Sequence, residues 1–261
     1  MRSSSVHPSD LKDKFCLVTG SSRGIGAAVA RGFGSAGARV AVHCHTARAE
    51  AEAVVKDIAA AGGRAHLLQG DISEPGAVER LLSETIEAFG RLDVLINNAG
   101  DLIQRHPVSE MSDEFFDQQI AVNVRPVFAA CRGAVRQFRQ QGGGGVIINL
   151  SSVAARTGGG GGSSLYAASK AFVATFTRAL AKEVAVEGIR VNAVSPGVVD
   201  TPMQHRTTPP EQISAAESAI PMRRIATADE CVGTFLYLAS NELSGYVTGQ
   251  VIEVNGGLLM P

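Results

Sequence analysis

Seven short runs rich in β-branched and aliphatic residues recur along the chain at helix-length intervals. They are FCLVT (15–19), ARVAV (38–42), AHLLQ (65–69), LDVLI (92–96), GVIINL (145–150), IRVNAV (189–194) and QVIEV (250–254). Apolar residues fill consecutive positions in these runs, as in strands covered on both faces, rather than alternating as in a half-wet sheet. Between them Ala, Leu and Val return at i, i+3, i+4 spacing near 24–36, 47–61, 75–89, 112–140, 164–187 and 227–240, which predicts amphipathic helices. A helix between successive strands is a crossover, and crossovers make strands parallel. The expected fold is α/β: a doubly wound, seven-stranded parallel sheet with helices on both faces, forming one domain over 13–261 behind a polar extension at 1–12.

Function classes can be excluded from the totals. The chain has 261 residues and a formal net charge of −1, which gives no broad attraction for nucleic acid or anionic lipid. No apolar run approaches the roughly 20 residues that span a bilayer. The N-terminus, MRSSSVHPSDLKDK, lacks an apolar leader core. Four scattered cysteines without a C-x-x-C pair read as reduced, buried thiols, so the expected location is the cytoplasm. QGGGG (141–145) reads as a surface connection. Residues 200–226 carry four of the ten prolines and break the rhythm. They read either as a substrate lid or as a surface excursion with one short helix.

TGSSRGIG (19–26) follows the first strand and opens the first helix. Gly20, Gly24 and Gly26, with Ser22, Arg23 and Ile25 between them, suit a sharp turn that lays bare N–H groups against a pyrophosphate. An acid about 20 residues further on normally binds the ribose of NAD, yet no Asp or Glu occurs between Ala27 and Ala49. Cys44 stands at that place, with His43, His45 and Arg48 around it. These donors favour NADP(H) over NAD(H). His43-x-His45 lacks further ligands, so no metal is expected. Asp71, followed by Ile72, falls at the end of the third strand, where it serves adenine or caps a helix. Asn98, Ala99 and Gly100 end the fourth strand, beside the first at the point where a doubly wound sheet reverses direction.

Tyr166 and Lys170 lie four residues apart and share one helix face. An isolated tyrosine is about one part in a thousand phenolate at neutral pH, and bringing it to pH 7 takes about 4 kcal/mol. One cation about 4 Å away supplies a term of that order. That pairing suits acid/base work, although an ordinary helix with a packed Tyr and a solvated Lys has the same spacing. Ser151 and Ser152 end the fifth strand, where a hydroxyl can hold a substrate carbonyl. Asn123 is a polar residue in an apolar helical stretch, placed to hold a water or kink the helix.

TGSSRGIG, NNAG, Asn123 in AVNV, INLSS, YAASK, VNAVSPG and YVTGQVIEVNGG, in this order over residues 13–258, resemble the short-chain dehydrogenase/reductase family. The resemblance implies a single Rossmann-like domain, usually tetrameric. It also implies a catalytic tetrad of Asn123, Ser152, Tyr166 and Lys170, with Tyr166 and Lys170 also contacting the cofactor. Pro196, Gly197, Val199 and Thr201 would hold the nicotinamide end. The expected partners are that cofactor and a small carbonyl or alcohol. One departure is that Ser152 to Tyr166 is one residue longer than the family's commonest spacing. The strand pattern INLSSVAA favours Ser152, with Ser151 as the fallback. The extra length falls in the five-glycine run 158–162, which should form a wall of the substrate pocket.

Overall fold

A computed structural model describes residues 8–260. In chain order it contains β1 (Phe15–Val18), α1 (Gly24–Ser35), β2 (Arg39–Cys44), α2 (Arg48–Ala60), β3 (Arg64–Gln69), α3 (Ala77–Phe89) and β4 (Val94–Asn97). There follow α4 (Asp113–Asn123), α5 (Arg125–Gln141), β5 (Gly145–Leu150), α6 (Ala154–Thr157), α7 (Ser164–Val184) and β6 (Ile189–Pro196). The chain closes with α8 (Pro202–Thr207), α9 (Pro210–Ala219), α10 (Asp229–Ala239), α11 (Asn241–Ser244) and β7 (Val251–Val254). All seven strands form one sheet in the order β3-β2-β1-β4-β5-β6-β7, and every pairing is parallel. The chain therefore reverses between β1 and β4, which opens a crevice at their C-terminal ends.

Successive strand residues face opposite sides, so each strand feeds two cores. Cys16 and Val18 of β1 pack with Val29 and Phe33 of α1, Val54 and Ile58 of α2, and Phe235 of α10. Leu17 between them packs with Leu81 of α3, Ala134 and Phe138 of α5, and Val173 and Leu180 of α7. Burying each Phe or Leu contributes about 1.5–3 kcal/mol. All four cysteines are free and buried. Among the described residues no helix is long and apolar enough to cross a membrane.

Two expectations need adjustment. The single helix anticipated over 112–140 is two, broken at Val124 (φ −111°, ψ −60°). Pro126 cannot donate to the helical ladder and is tolerated only in a first turn. Ser112 caps the first piece by accepting from Phe115 N at 3.2 Å. The lid region carries two helices, α8 and α9, instead of one. Within the polar extension, residues 8–12 pack on the domain: Leu11 is buried, and Asp10 caps α11 by accepting from Ser240 Oγ at 2.7 Å and Asn241 N at 2.7 Å. Residues 1–7 of the predicted extension lie outside the described residues.

Candidate active site

A cleft of about 630 Å³ runs along the C-terminal edge of the sheet. At one end lies the glycine turn. Gly20 and Gly24 adopt left-handed backbone (φ 63° and 53°), which other residues enter at a cost. A Cβ on Gly26 would overlap both Gly20 O and Asn98 Nδ2. The turn is stitched to β4 by Thr19, whose hydroxyl oxygen accepts from Asn98 N and Ala99 N, both at 3.1 Å. Asn98 returns the tie, donating from Nδ2 to Thr19 O at 2.9 Å and Gly20 O at 3.0 Å. Asn98 therefore braces the cradle with its side chain. The sequence reading assigned it to the cofactor wall and gave no role to Thr19, which opens the TGSSRGIG motif just after β1.

Every residue predicted to touch the cofactor lines this cleft except Lys170 and Arg48. Ser22, Arg23 and Ile25 border it beside the three glycines, Ala99 and Gly100 form its floor, and Pro196, Gly197, Val199 and Thr201 close its far side. The glycine-shaped floor and the helix N-terminus fit a dinucleotide. The basic edge differs from expectation. His43 is buried and accepts from Gly20 N on Nδ1 at 2.9 Å, so its proton sits on Nε2, which donates to Gly70 O at 3.0 Å. Desolvation holds its pKa below the usual value. This imidazole is neutral and has no donor left for a phosphate, so it clamps the turn to β2 and β3. Arg48 is spent on Glu52 at 3.0 Å and Gln69 at 2.9 Å and does not line the cleft. Arg23 and His45 do line it, facing Glu50 at 3.7 Å and Asp71 at 3.6 Å. Asp71 also accepts from Ser73 N at 2.9 Å, a cap on the following turn, and Ile72 lies beside it in the wall.

At the other end α7 is fastened to β5. Ser151 Oγ donates to Lys170 O at 2.9 Å, Lys170 Nζ donates to Leu150 O at 2.9 Å, and Asn149 Nδ2 donates to Thr177 Oγ1 at 2.9 Å. Ser151 is thus committed to the helix, and Ser152, whose Oγ accepts from Ala154 N at 3.2 Å, is the serine whose side chain acts on the Tyr166 phenol. Both Ser152 and Tyr166 line the cleft. Asn123 and Lys170 are buried behind it and converge on Gly100, where a Cβ would lie 2.7 Å from Asn123 Oδ1 and 3.1 Å from Lys170 Nζ. Asn123 also fixes the next residue, donating to Asp101 O at 2.8 Å and accepting from Asp101 N at 2.9 Å.

The electrostatics differ from the simple pairing anticipated. Lys170 Nζ sits over the Tyr166 ring, 5.6 Å from its centroid. Burial pushes the phenol up to about 12, with Ser152 pulling it down and Asp101 pushing it further up. Burial also draws Lys170 down to about 8. The protein groups alone therefore keep Tyr166 protonated, the form that donates a proton.

The outer wall contains residues that the sequence reading did not single out for the site. Asp101 pairs with Arg206 of α8 across the cleft mouth. Ile103 lines the wall at φ 61°, a left-handed conformation that is rare for a β-branched residue. It is held there by Ile103 N donating to Asp101 Oδ1 at 3.0 Å and by Gln119 Nε2 donating to Leu102 O at 2.6 Å. Asp101 directly follows NNAG, which is the signal that could have found it.

The family model described as enoyl-(acyl carrier protein) reductase matches residues 20–259. The chain is 40% identical over 252 residues to 3beta-hydroxysteroid dehydrogenase 1 of Eggerthella lenta, covering 96% of this chain and 95% of that one. It is 40% identical over 261 residues to glucose 1-dehydrogenase of Gluconobacter oxydans, covering 97% and 96%. A short-chain dehydrogenase from Burkholderia cenocepacia in complex with NADP superposes with a TM-score of 0.89 at 35% identity, covering 95% of this chain and 98% of that one. The NADH-dependent reductase A1-R' complexed with NAD superposes with a TM-score of 0.86 at 35% identity, covering 97% and 99%. With the motifs, the sheet order and the cleft in agreement, the chain belongs to the short-chain dehydrogenase/reductase family of oxidoreductases acting on alcohol and carbonyl groups.

Proposed function

We propose that the protein transfers hydride reversibly between NADP(H) and a carbonyl or secondary alcohol, with Tyr166 as the acid/base. The observation that carries this reading is the meeting of the Tyr166 phenol and the Ser152 hydroxyl in a cleft whose other end is a glycine cradle. A bound nicotinamide supplies or accepts the hydride. Ser152 orients the substrate oxygen. Tyr166 gives that oxygen a proton in reduction and removes it in oxidation. Lys170 keeps positive charge behind the ring, and with Asn123 it begins a proton path at Gly100. A homotetramer is proposed on the family resemblance, and an aromatic patch on α5 and α7 supports it: Phe128 (44% exposed) and Phe172 (38% exposed) flank Phe176.

The preference for NADP(H) rests on Cys44 standing where a ribose-binding acid would lie and on Arg23 and His45 facing the cleft. Glu50 beside Arg23 works against it. The test is to follow NADPH and NADH oxidation with ketones, 3-oxoacyl thioesters and sugar-derived carbonyls. Saturable NADPH oxidation is expected with at least one class, and a preference for NADH would discard the cofactor assignment. The narrower alternatives, an oxoacyl-thioester reductase or a sugar dehydrogenase, separate by which class saturates. A non-catalytic NADP(H) sensor would bind cofactor and oxidise none of it.

The charges around the phenol also set its pH dependence. Ser152, Lys170, and Asp101 with its partner Arg206 are the groups acting there. Asp101→Asn removes a negative charge, which favours phenolate, so the rising limb of alcohol oxidation moves to lower pH. Arg206→Gln leaves Asp101 uncompensated and moves the same limb to higher pH. Profiles of kcat/KM against pH for the two variants check this, and shifts of the same sign would contradict it.

A further inference from the structure

The five-glycine run is the one sequence feature that the chemistry above does not use, and its neighbour explains it. Arg105 is half-buried in the loop between β4 and α4. Among the described residues no carboxylate lies within ion-pair distance of it. Its guanidinium donates instead to two distant segments. Nε donates to Thr207 O at 2.8 Å and Nη2 to Thr208 Oγ1 at 3.2 Å, both at the end of α8. Nη1 donates to Gly161 O at 3.0 Å, inside the glycine run. The next residue adds a main-chain tie, His106 N donating to Gly162 O at 3.0 Å. A planar fork with donors in several directions can join two strands of chain in this way, whereas a lysine cannot.

The glycines have the shape that this arrangement needs. Gly159 and Gly162 are left-handed, both at φ 73°. A Cβ on Gly162 would come within 2.9 Å of His106 N, and one on Gly160 within 3.3 Å of Arg105 Nη1. The run therefore lies close against loop 101–107 with its carbonyls turned to Arg105 and His106. That loop also carries Asp101, paired with Arg206 of α8, and Ile103, which lines the cleft.

We propose that Arg105 is a positioning residue that sets the width of the substrate pocket by fastening α8 and the glycine run to loop 101–107. Loop 101–107 and α8 line the cleft, while the glycine run, expected as a pocket wall, lies behind that loop and lines none of it; the three segments loosen together when the fastening is lost. The proposal rests on the preceding reading of this cleft as the substrate site. Loosening the outer wall should admit bulkier carbonyl substrates.

The test uses Arg105→Ala and Arg105→Lys in the full chain, each first checked for an unchanged circular dichroism spectrum. Hydrogen exchange is followed in peptides covering 158–163 and 202–208, with NADPH present. In Arg105→Ala both segments are expected to exchange faster together, by about tenfold, the range for losing hydrogen bonds to a charged group. In Arg105→Lys the effect should be smaller, since one donor can remain. Steady-state kinetics with a small and a bulky ketone give the second readout. KM for the small ketone should rise with kcat within about twofold, and the bulky-to-small ratio of kcat/KM should increase about tenfold. Faster exchange in only one segment, or in neither, overturns the proposal, as does an unchanged ratio. If the unmodified protein turns over no ketone, 3-oxoacyl thioester or sugar-derived carbonyl, the hydride-transfer reading fails. The exchange data then decide the coupling by themselves, since they need no turnover.

Discussion

Tyr166→Phe should lower kcat by about 10³-fold or more while changing NADPH affinity by less than about twofold, the upper range for removing a general acid or base. The ring stays and its packing beside Lys170 is kept. Only the hydroxyl is lost, the group whose pKa Ser152 draws down. Because the phenol is held at about 12, it is fully protonated at neutral pH, so reduction has its proton donor in place before substrate arrives. Oxidation needs the phenolate and should feel the loss at least as strongly. Fluorescence titration with NADPH and single-turnover assays in both directions separate binding from chemistry. Turnover retained in the Phe variant would remove Tyr166 from the mechanism. Ser152→Ala, which leaves the acid in place, is not expected to match it.

Gly26→Ala should damage the cofactor cradle with a single methyl group. The added carbon meets Gly20 O and Asn98 Nδ2, main chain and a doubly hydrogen-bonded amide, neither of which can swing aside. Either the turn opens or α1 shifts, and the N–H groups that would face a pyrophosphate leave register. Overpacking of this kind costs about 1–3 kcal/mol, which lowers the melting temperature by about 2–12 °C in a chain of this length. Cofactor affinity should fall on the order of a hundredfold, the scale of a 1 Å misplacement at a site. Gly161→Ala is the internal comparison. Nothing lies within 4 Å of a Cβ there, so the expectation is a melting temperature within about 1–2 °C of the original. Thermal melts and NADPH titrations of both variants decide the matter. Equal effects at Gly26 and Gly161 would mean that the cradle is not tightly packed.

The strand positions and the glycine turn were legible because each depends on local pattern. Apolar runs fix the sheet, and a glycine turn between a strand and a helix fixes the cradle. What failed to show was which polar groups are already occupied. His43 reads as a phosphate donor from its position, yet both its nitrogens bind main chain at sequence separations of 23 and 27. Arg105 binds partners 56 and 102 residues away, so nothing near it in the chain announces its task. The break after Asn123 was half legible: a polar residue in an apolar helix suggested a kink, and Pro126 made it sharp. Lys170 was identified by spacing, but its height over the ring follows from Leu150 O, a main-chain atom that carries no residue signature.

The triple attachment of α7 to the end of β5 has a kinetic consequence. The proposed acid–base group rides on a helix tied down on its own side, since Lys170 is held at its carbonyl and its amine and Thr177 is held two turns further on. Whatever opens to admit a substrate must belong to the opposite bank of the cleft. Admission and bond-making are then governed by separate parts of the chain, so the pace of one can drift over evolutionary time without disturbing the other.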